Sequence, residues 1–278
     1  MENRKLRISI ITVSYNAAST IEQTISSVVN QSYPHIEYII IDGGSTDGTV
    51  DIIKKYKDKI AYWISEPDGG IYDAMNKGMS VATGDYVYFL GADDTLLNMG
   101  TIENVISEIN QSHADIYSYG VYLVRSCDNK QRYVGNEYAH KCEFPLRMIP
   151  HQGMFVKTIL AKNIGFDIKY RIAADHKFFL CCKLKKDIKI IYSDKAVAFF
   201  SQDGMSGQQV LKNQQEVKSI FKELSLEYPV NNSNFLVTLC KNFLRRLGLY
   251  SFITKMYDEF GWRIHKCNNA KCRWCGRT

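Results

Sequence analysis

The sequence predicts an α/β fold: a mostly parallel sheet covered by helices, with a basic amphipathic helical tail at its C-terminal end. Three observations predict it. Apolar runs of strand length alternate with helical stripes through the first hundred residues. Turn-forming or acidic residues stand directly after several of those runs, as in Asp42-Gly43-Gly44-Ser45 and Asp93-Asp94. Past Pro229 the composition shifts to alternating bulky apolar and basic residues.

The elements follow in order. Arg7 to Tyr15 forms the first strand. Ser19-Thr20-Ile21-Glu22 has capping-box spacing, and Ile21, Ile25, Val28 and Val29 continue a helical stripe. Glu37 to Ile41 is a second apolar strand ending at Asp42, and Gly43 to Gly48 forms a loop. Val50, Ile53 and Tyr56 mark the next helix, and Ala61 to Ser65 a short third strand. Ile71 to about Lys77 reads as a third helix, and Tyr86-Val87-Tyr88-Phe89-Leu90 as a buried strand before the acid pair. Beyond Thr101 the pattern loosens, with strands near Ile116–Val124 and Lys189–Tyr192, a helix over Asp175–Leu184, a loop at Gly204–Gly207 and a helix over Lys212–Leu224. The expected domain is 1–228, with a nucleotide-binding half (1–100) and an acceptor-binding half (101–228), and the tail is 229–278.

Composition limits the function. The chain has 278 residues, 45% hydrophobic and 23% charged, which is ordinary for a globular protein. From Lys241 to Thr278 it carries nine Lys and Arg against two acids, so the net charge of +6 belongs to the tail and the body is near neutral. That argues against nucleic acid as a partner, since a binder of that kind concentrates basic residues on its folded body. Ile8 to Val13 is too short for a secretory h-region, and no apolar stretch reaches about 18 residues. The expected setting is cytoplasmic, with eight reduced cysteines.

Two carboxylates past a buried strand sit where open α/β sheets bind ligands. Asp93 and Asp94 could there hold Mg²⁺ or Mn²⁺ against a diphosphate. They read equally as an N-cap pair for the following helix. Asp42 has the position of a ribose-binding acid, and its loop residues also suit a plain turn. The glycine-rich loop lacks Gly-Lys-Ser/Thr and the Gly-x-Gly-x-x-Gly spacing, so two large nucleotide-binding classes recede.

Taken together, Ser9 to Asn16, Ile41 to Thr49, Asp68 to Gly78 and Gly91-Ala92-Asp93-Asp94 resemble the family 2 glycosyltransferases of the GT-A (Rossmann-like) fold. A weaker likeness continues through His151-Gln152, Tyr170 to Asp175 and Phe199 to Ser206, covering about 200 residues. The resemblance implies that Thr12, Tyr15, Asp42 and Asp47 line a nucleoside pocket. It puts Asp73, Asn76, Lys77 and Asp93 near nucleotide or donor sugar, and makes Asp93 and Asp94 the metal ligands. Many relatives carry an acid where this chain has Gly91. Asp175 is the expected base of an inverting transfer, or else a helix cap. His151 either positions the acceptor or holds a loop, and His176 beside Asp175 reads as a helix surface or packing residue.

The resemblance implies a metal-dependent enzyme of the hexosyltransferase type. Its partners would be a nucleotide-diphospho-sugar donor, a UDP-sugar first, and a glycan or lipid-linked acceptor of bacterial surface-polysaccharide synthesis. A sugar nucleotidyltransferase is the first rival, and Ser14 to Ala18 lacks the basic glycine-rich loop it needs. A catalytically silent membrane- or partner-binding domain is the second, and the joint presence of Asp42, Asp93, Asp94 and Asp175 disfavours it. In the tail, Phe235, Leu236, Leu239, Phe243, Leu244 and Leu247 form an apolar face beside Lys241, Arg245 and Arg246. Such a helix suits an anionic membrane surface, here the inner face of the cell membrane, or packs on the domain with its charges solvated. Cys267, Cys272 and Cys275 with His265 give only half of a zinc-site spacing, and free thiols are expected.

Overall fold

The computed structural model describes residues 5–125, 130–135, 150–201, 210–228 and 263–264. Four parallel strands form the first half of the sheet: β1 (Ile8–Ser14), β2 (Ile36–Asp42), β3 (Tyr62–Ser65) and β4 (Tyr86–Gly91), in the order β3-β2-β1-β4. Their connections carry α1 (Ile21–Val29), α2 (Thr49–Lys55) and α3 (Ile71–Val81), the last a turn longer than its sequence pattern predicts. The chain steps from β1 out to β3 and then returns to the other side of β1. This reversal opens a crevice between the carboxyl ends of β1 and β4, the usual ligand position in such sheets.

Beyond β4 the sheet is mixed, with antiparallel pairs joined by one long parallel pair. β5 (Thr95–Leu96) and α4 (Thr101–Ser112) lead to β6 (Ile116–Arg125), β7 (Lys130–Val134) and β8 (Met154–Lys157). β8 pairs antiparallel with both β4 and β6, and so stitches the two halves into one sheet. α5 (Thr158–Ile164), α6 (Ala174–Leu184), β9 (Ile190–Ser201) and α7 (Val210–Glu223) follow. β9 lies parallel to β6 over its whole length and pairs antiparallel with β5, reaching well past the predicted end at Tyr192. β10 (Arg263–Ile264) pairs antiparallel with β7. The rest of the tail, the Gly204–Gly207 loop and the cysteines at 267, 272 and 275 lie outside the described residues.

Alternation along the strands builds two cores. Ile8 and Ile10 of β1, Tyr38 and Ile40 of β2 and Tyr88 and Leu90 of β4 face α1, α2 and α4. In α4 the buried Ile102, Val105, Ile106 and Ile109 keep the i, i+3, i+4, i+7 spacing of one helical face. Ile11, Val13, Ile39, Ile41, Val87 and Phe89 face α3, α5, α6 and α7 instead. Cys182 is buried in this second core, while Cys181 beside it is half-buried. Among the described residues no helix is long and apolar enough to cross a membrane.

Candidate active site

The predicted capping box does not form. Thr20 occupies the N-cap of α1 without a side-chain capping bond, and its hydroxyl donates to the carbonyl of Ala92 at 2.8 Å. Thr24 one turn later donates to the carbonyls of Ala92 and Asp94 at 2.9 and 2.7 Å. The two threonines therefore tether the acid-bearing loop to α1. That loop precedes β5 while α4 begins only at Thr101, so the acid pair caps no helix.

Cross-strand register explains Asp42. Ser14, Asp42 and Ser65 stand level at the ends of β1, β2 and β3. Both serine hydroxyls donate to the Asp42 carboxylate, at 2.8 and 2.7 Å. Ser45 adds its hydroxyl at 2.6 Å and its N–H at 2.8 Å, and the N–H of Gly44 adds a fifth bond at 3.2 Å. Burial pushes this carboxyl up, but the bonds from Ser45 and Ser65 outweigh it and hold it below its ordinary value. A carboxylate offers about four lone-pair sites. Asp42 is therefore enclosed and saturated, and it shapes the loop floor. Thr12, also predicted to line the pocket, is wholly buried, and its hydroxyl accepts from Tyr38 at 3.2 Å.

Tyr15 is different: it is 68% exposed, at the open end of β1, with its ring against Gly43. Asp47 accepts from the N–H of Ala18 at 2.9 Å and from the Thr49 hydroxyl at 2.5 Å, and the Thr49 bond lowers its carboxyl. It thus joins the turn before α1 to the start of α2. Asn76 is a clamp, since its amide donates to the carbonyl of Phe166 at 2.8 Å and accepts from the N–H of the same residue at 2.9 Å. Lys77 donates to Glu66 at 2.8 Å, the contact that chiefly raises it, and lies 3.7 Å from Asp73. Asp73 accepts from the N–H of Gly69 at 2.8 Å.

At the end of β4, Asp94 is 1% exposed and Asp93 half-buried. Asp94 accepts from Gln152 Nε2 at 3.0 Å, from the Ser201 N–H at 2.9 Å and from the Gly91 N–H at 3.2 Å. Burial first, and then the charge of Asp93, raises its carboxyl. The space above Gly91 is already taken, since a Cβ there would come within 2.7 Å of Asp94 Oδ2 and 3.0 Å of Asp93 Oδ1. A side chain at position 91 would therefore require one or both carboxylates to shift. Two adjacent carboxylates, one of them buried at an electrostatic cost, suit a divalent cation that takes its remaining ligands from phosphate and water.

Gln152 is the residue that sequence reasoning left without a role, and its only signal was its place beside His151. The short 3-10 turn His151–Gly153 points its residues to two sides of the crevice. Gln152 reaches Asp94, while His151 Nδ1 lies 3.1 Å from Asp175 Oδ2, each of these two side chains being 15% exposed. Asp175 Oδ1 also accepts from the Tyr72 hydroxyl at 3.1 Å and the His176 N–H at 2.8 Å. Burial pushes the Asp175 carboxyl up, but the bond from His151 and the histidine charges bring it below its ordinary value. His176 itself is buried, its ring edge-on to Phe221, which decides for packing over a place on the helix surface.

Two further contacts hold this side of the crevice. Glu216 of α7 accepts the N–H groups of Arg171, Ile172 and Ala173 at 3.1, 2.9 and 3.0 Å. The Arg171 guanidinium donates to the carbonyl of Gly69. A hollow of about 360 Å³ lies here, lined in part by Gly70, Asp73, Arg171 and Lys212. Nothing local in the sequence signals Glu216, because its partners lie more than forty residues away.

The family model described as glycosyl transferase family 2 matches residues 9–172. A glycosyltransferase of Mycobacterium tuberculosis is 34% identical over 177 residues, covering 62% of this chain and 67% of the relative. A PGL/p-HBAD biosynthesis glycosyltransferase of Mycobacterium bovis is 32% identical over 200 residues, covering 70% and 77%. Among solved structures, residues 1–349 of S. aureus TarS in complex with UDP-GlcNAc superpose with a TM-score of 0.59 at 23% identity, over 73% of this chain and 61% of that one. A Pyrobaculum calidifontis mannosyltransferase in complex with GDP-Man and Mn²⁺ gives a TM-score of 0.62 at 19% identity, over 80% and 65%. The two structural likenesses bear on the fold alone, and the match of the family model over more than half of the chain, with the 32% identical relative, shows that the chain belongs to glycosyl transferase family 2.

Proposed function

We propose that this protein transfers a sugar from a nucleotide-diphospho-sugar to an acceptor hydroxyl, with inversion at the anomeric carbon and with Mg²⁺ or Mn²⁺. The observation that carries the reading is the convergence, through His151 and Gln152, of the acid pair at β4 and of Asp175 on α6. Leaving group and attacking group need opposite services, and this crevice has a residue set for each. Asp93 and Asp94 would hold the metal, which when bound neutralises charge gathering on the departing diphosphate. The His151–Asp175 pair supplies the base for the acceptor hydroxyl. Tyr15 is an exposed aromatic face for the nucleobase, and Asp42 and Asp47 keep the loop beneath it in shape. Lys77 and Arg171 stand at the edge where a phosphate or a donor sugar would enter.

The neighbours that carry UDP-GlcNAc and GDP-Man support a nucleotide-sugar donor and leave its base and sugar open. The relative named for PGL/p-HBAD biosynthesis supports a glycan or lipid-linked acceptor. The test is a thermal-shift and nucleotide-release screen of UDP-, GDP-, CMP- and dTDP-sugars with and without Mn²⁺. At least one donor is expected to raise the melting temperature in the presence of metal, because a ligand bound only to the folded state stabilises it. The reading fails if no donor in the panel binds or is turned over.

A further inference from the structure

We propose that the hollow between α4, β6 and β9 binds a neutral sugar unit, at a site separate from the transfer crevice. The hollow has a volume of about 510 Å³ and contains none of the residues placed in that crevice. The two sites share β9, since the Ser201 N–H bonds to Asp94 while Asp194 to Val197 line the hollow. Four to seven residues of strand lie between them, roughly 13–23 Å at the rise of a β-strand.

Three observations carry the proposal. First, the wall is built around a pinned aromatic ring. The register of β6 against β9 shifts on both sides of Gly120, the mark of a bulge, and bulges re-aim side chains. A Cβ on Gly120 would come within 2.4 Å of the Tyr133 ring, so the ring lies across β6 in space that the glycine leaves open. The Tyr133 hydroxyl donates to the carbonyl of Asp194 at 2.6 Å and fixes the ring. The Tyr122 ring stands edge-on to it, with centroids 5.8 Å apart. Tyr133 is 37% exposed, and a ring already held in place loses little freedom on binding.

Second, polar groups without a partner among the described residues line the same hollow. They are the Asn104 amide, the Asn98 Nδ2, the Tyr122 hydroxyl and the Asp194 carboxylate. An amide offers both donor and acceptor, a carboxylate only acceptors. A sugar matches this mixture, because its ring has an apolar C–H face for an aromatic surface and a rim of hydroxyls that donate and accept. Third, the charge of the lining disfavours an anion. Glu108 accepts from the Tyr119 hydroxyl at 3.0 Å and from Lys195 Nζ at 2.6 Å. Those two charges cancel and leave Asp194 as the unmatched one, which repels phosphates and uronic acids and tolerates a neutral glycan.

A site of this kind holds a glycan by a unit remote from the one that reacts, and so raises the effective concentration of acceptor at the crevice. That consequence rests on the transfer reaction proposed above, whereas sugar binding itself does not.

The experiment measures dissociation constants of mannotriose, maltotriose and triacetylchitotriose by saturation-transfer NMR, with the full chain in EDTA and without nucleotide. At least one of these is expected to bind wild type. Asn104 and Asp194 are exposed, so Asn104→Ala and Asp194→Ala each remove a hydrogen-bonding group without touching the core. Each is expected to weaken that binding by about tenfold. Gly120→Ala displaces the tip of the Tyr133 ring and is expected to weaken it at least as much. Asp175→Asn, in the crevice, is expected to leave it unchanged, and trigalacturonate, a charged sugar of the same length, is expected not to bind. Thermal unfolding reports that each variant is folded.

Binding that is lost in Asp175→Asn and kept in Asn104→Ala and Asp194→Ala puts the sugar in the crevice and overturns the proposal. So does the failure of all three neutral sugars to bind, or equal binding of trigalacturonate. Nucleotide release from UDP-GlcNAc and GDP-Man with Mn²⁺ and water as the acceptor is expected to be unchanged in Asn104→Ala and Asp194→Ala. Failure of wild type to release nucleotide from any donor in the earlier panel overturns the transfer reading, and sugar binding is then judged on its own dissociation constants.

Discussion

Asp42 shows how one residue of an acidic motif works here as a structural member. Five donors converge on a carboxylate with no solvent exposure, so its value lies in the shape it gives the loop after β2. Asp42→Asn replaces one acceptor oxygen with a donor and leaves several buried donors unpaired. A loss of about 3 kcal/mol is expected, measured by urea unfolding at pH 7. Because the folded-state carboxyl is lowered, its stabilisation is present above the unfolded value of about 3.9 and is lost as pH falls through the folded value. The gap between wild type and variant is therefore expected to narrow below pH 4, and a gap that stays constant to pH 2.5 speaks against this role.

On the scale of single elements, the turn at His151–Gly153 matters most. It lies so close to β6 that a Cβ on Gly153 would come within 2.2 Å of the main-chain carbonyl oxygen of Tyr119. Backbone cannot swing aside as a side-chain tip can, so Gly153→Ala should push the whole turn away from the sheet. The expected result is a destabilisation of about 1–3 kcal/mol, as for other overpacked sites, together with a fall in kcat. Both follow from displacing His151 from Asp175 and Gln152 from Asp94. Nucleotide release and urea unfolding on the same variant check this, and an active Gly153→Ala enzyme of unchanged stability would show the contact to be unimportant. The Glu216 bonds act in parallel, holding the 171–173 backbone that leads into α6.

Considered as a whole, the molecule is electrically divided. The segment from Lys241 to Thr278 has a net charge of +7, against −1 for everything before it. A catalytic body that is nearly neutral, joined to a basic and aromatic tail, suits work at an anionic membrane surface, where each basic residue near the surface contributes about 1 kcal/mol. The full chain is expected to sediment with vesicles containing phosphatidylglycerol and to remain in the supernatant with phosphatidylcholine alone. Binding should weaken as salt rises and fall by about tenfold or more in Arg245→Glu/Arg246→Glu. Equal binding to both vesicle types, or none to either, sinks the membrane reading.

The sequence by itself determined the alternation of strands and helices in the first hundred residues, the acid pair after β4 and the family, because these features are local or linear. Strand character shows in Ile8–Ser14 and Tyr86–Gly91 as apolar runs, and the glycines and acids that follow sit at the strand ends by chain connectivity alone. Only the tertiary structure decided that β6 to β8 run antiparallel, that Asp42 and Thr12 are enclosed, and that Asn76 clamps Phe166. It also brought Gln152 to Asp94 across 58 residues of chain and His151 to Asp175 across 24. The physical reason is the same in each case. Strand register and helix packing set the distances between side chains far apart in sequence, and hydrogen-bond saturation depends on those distances.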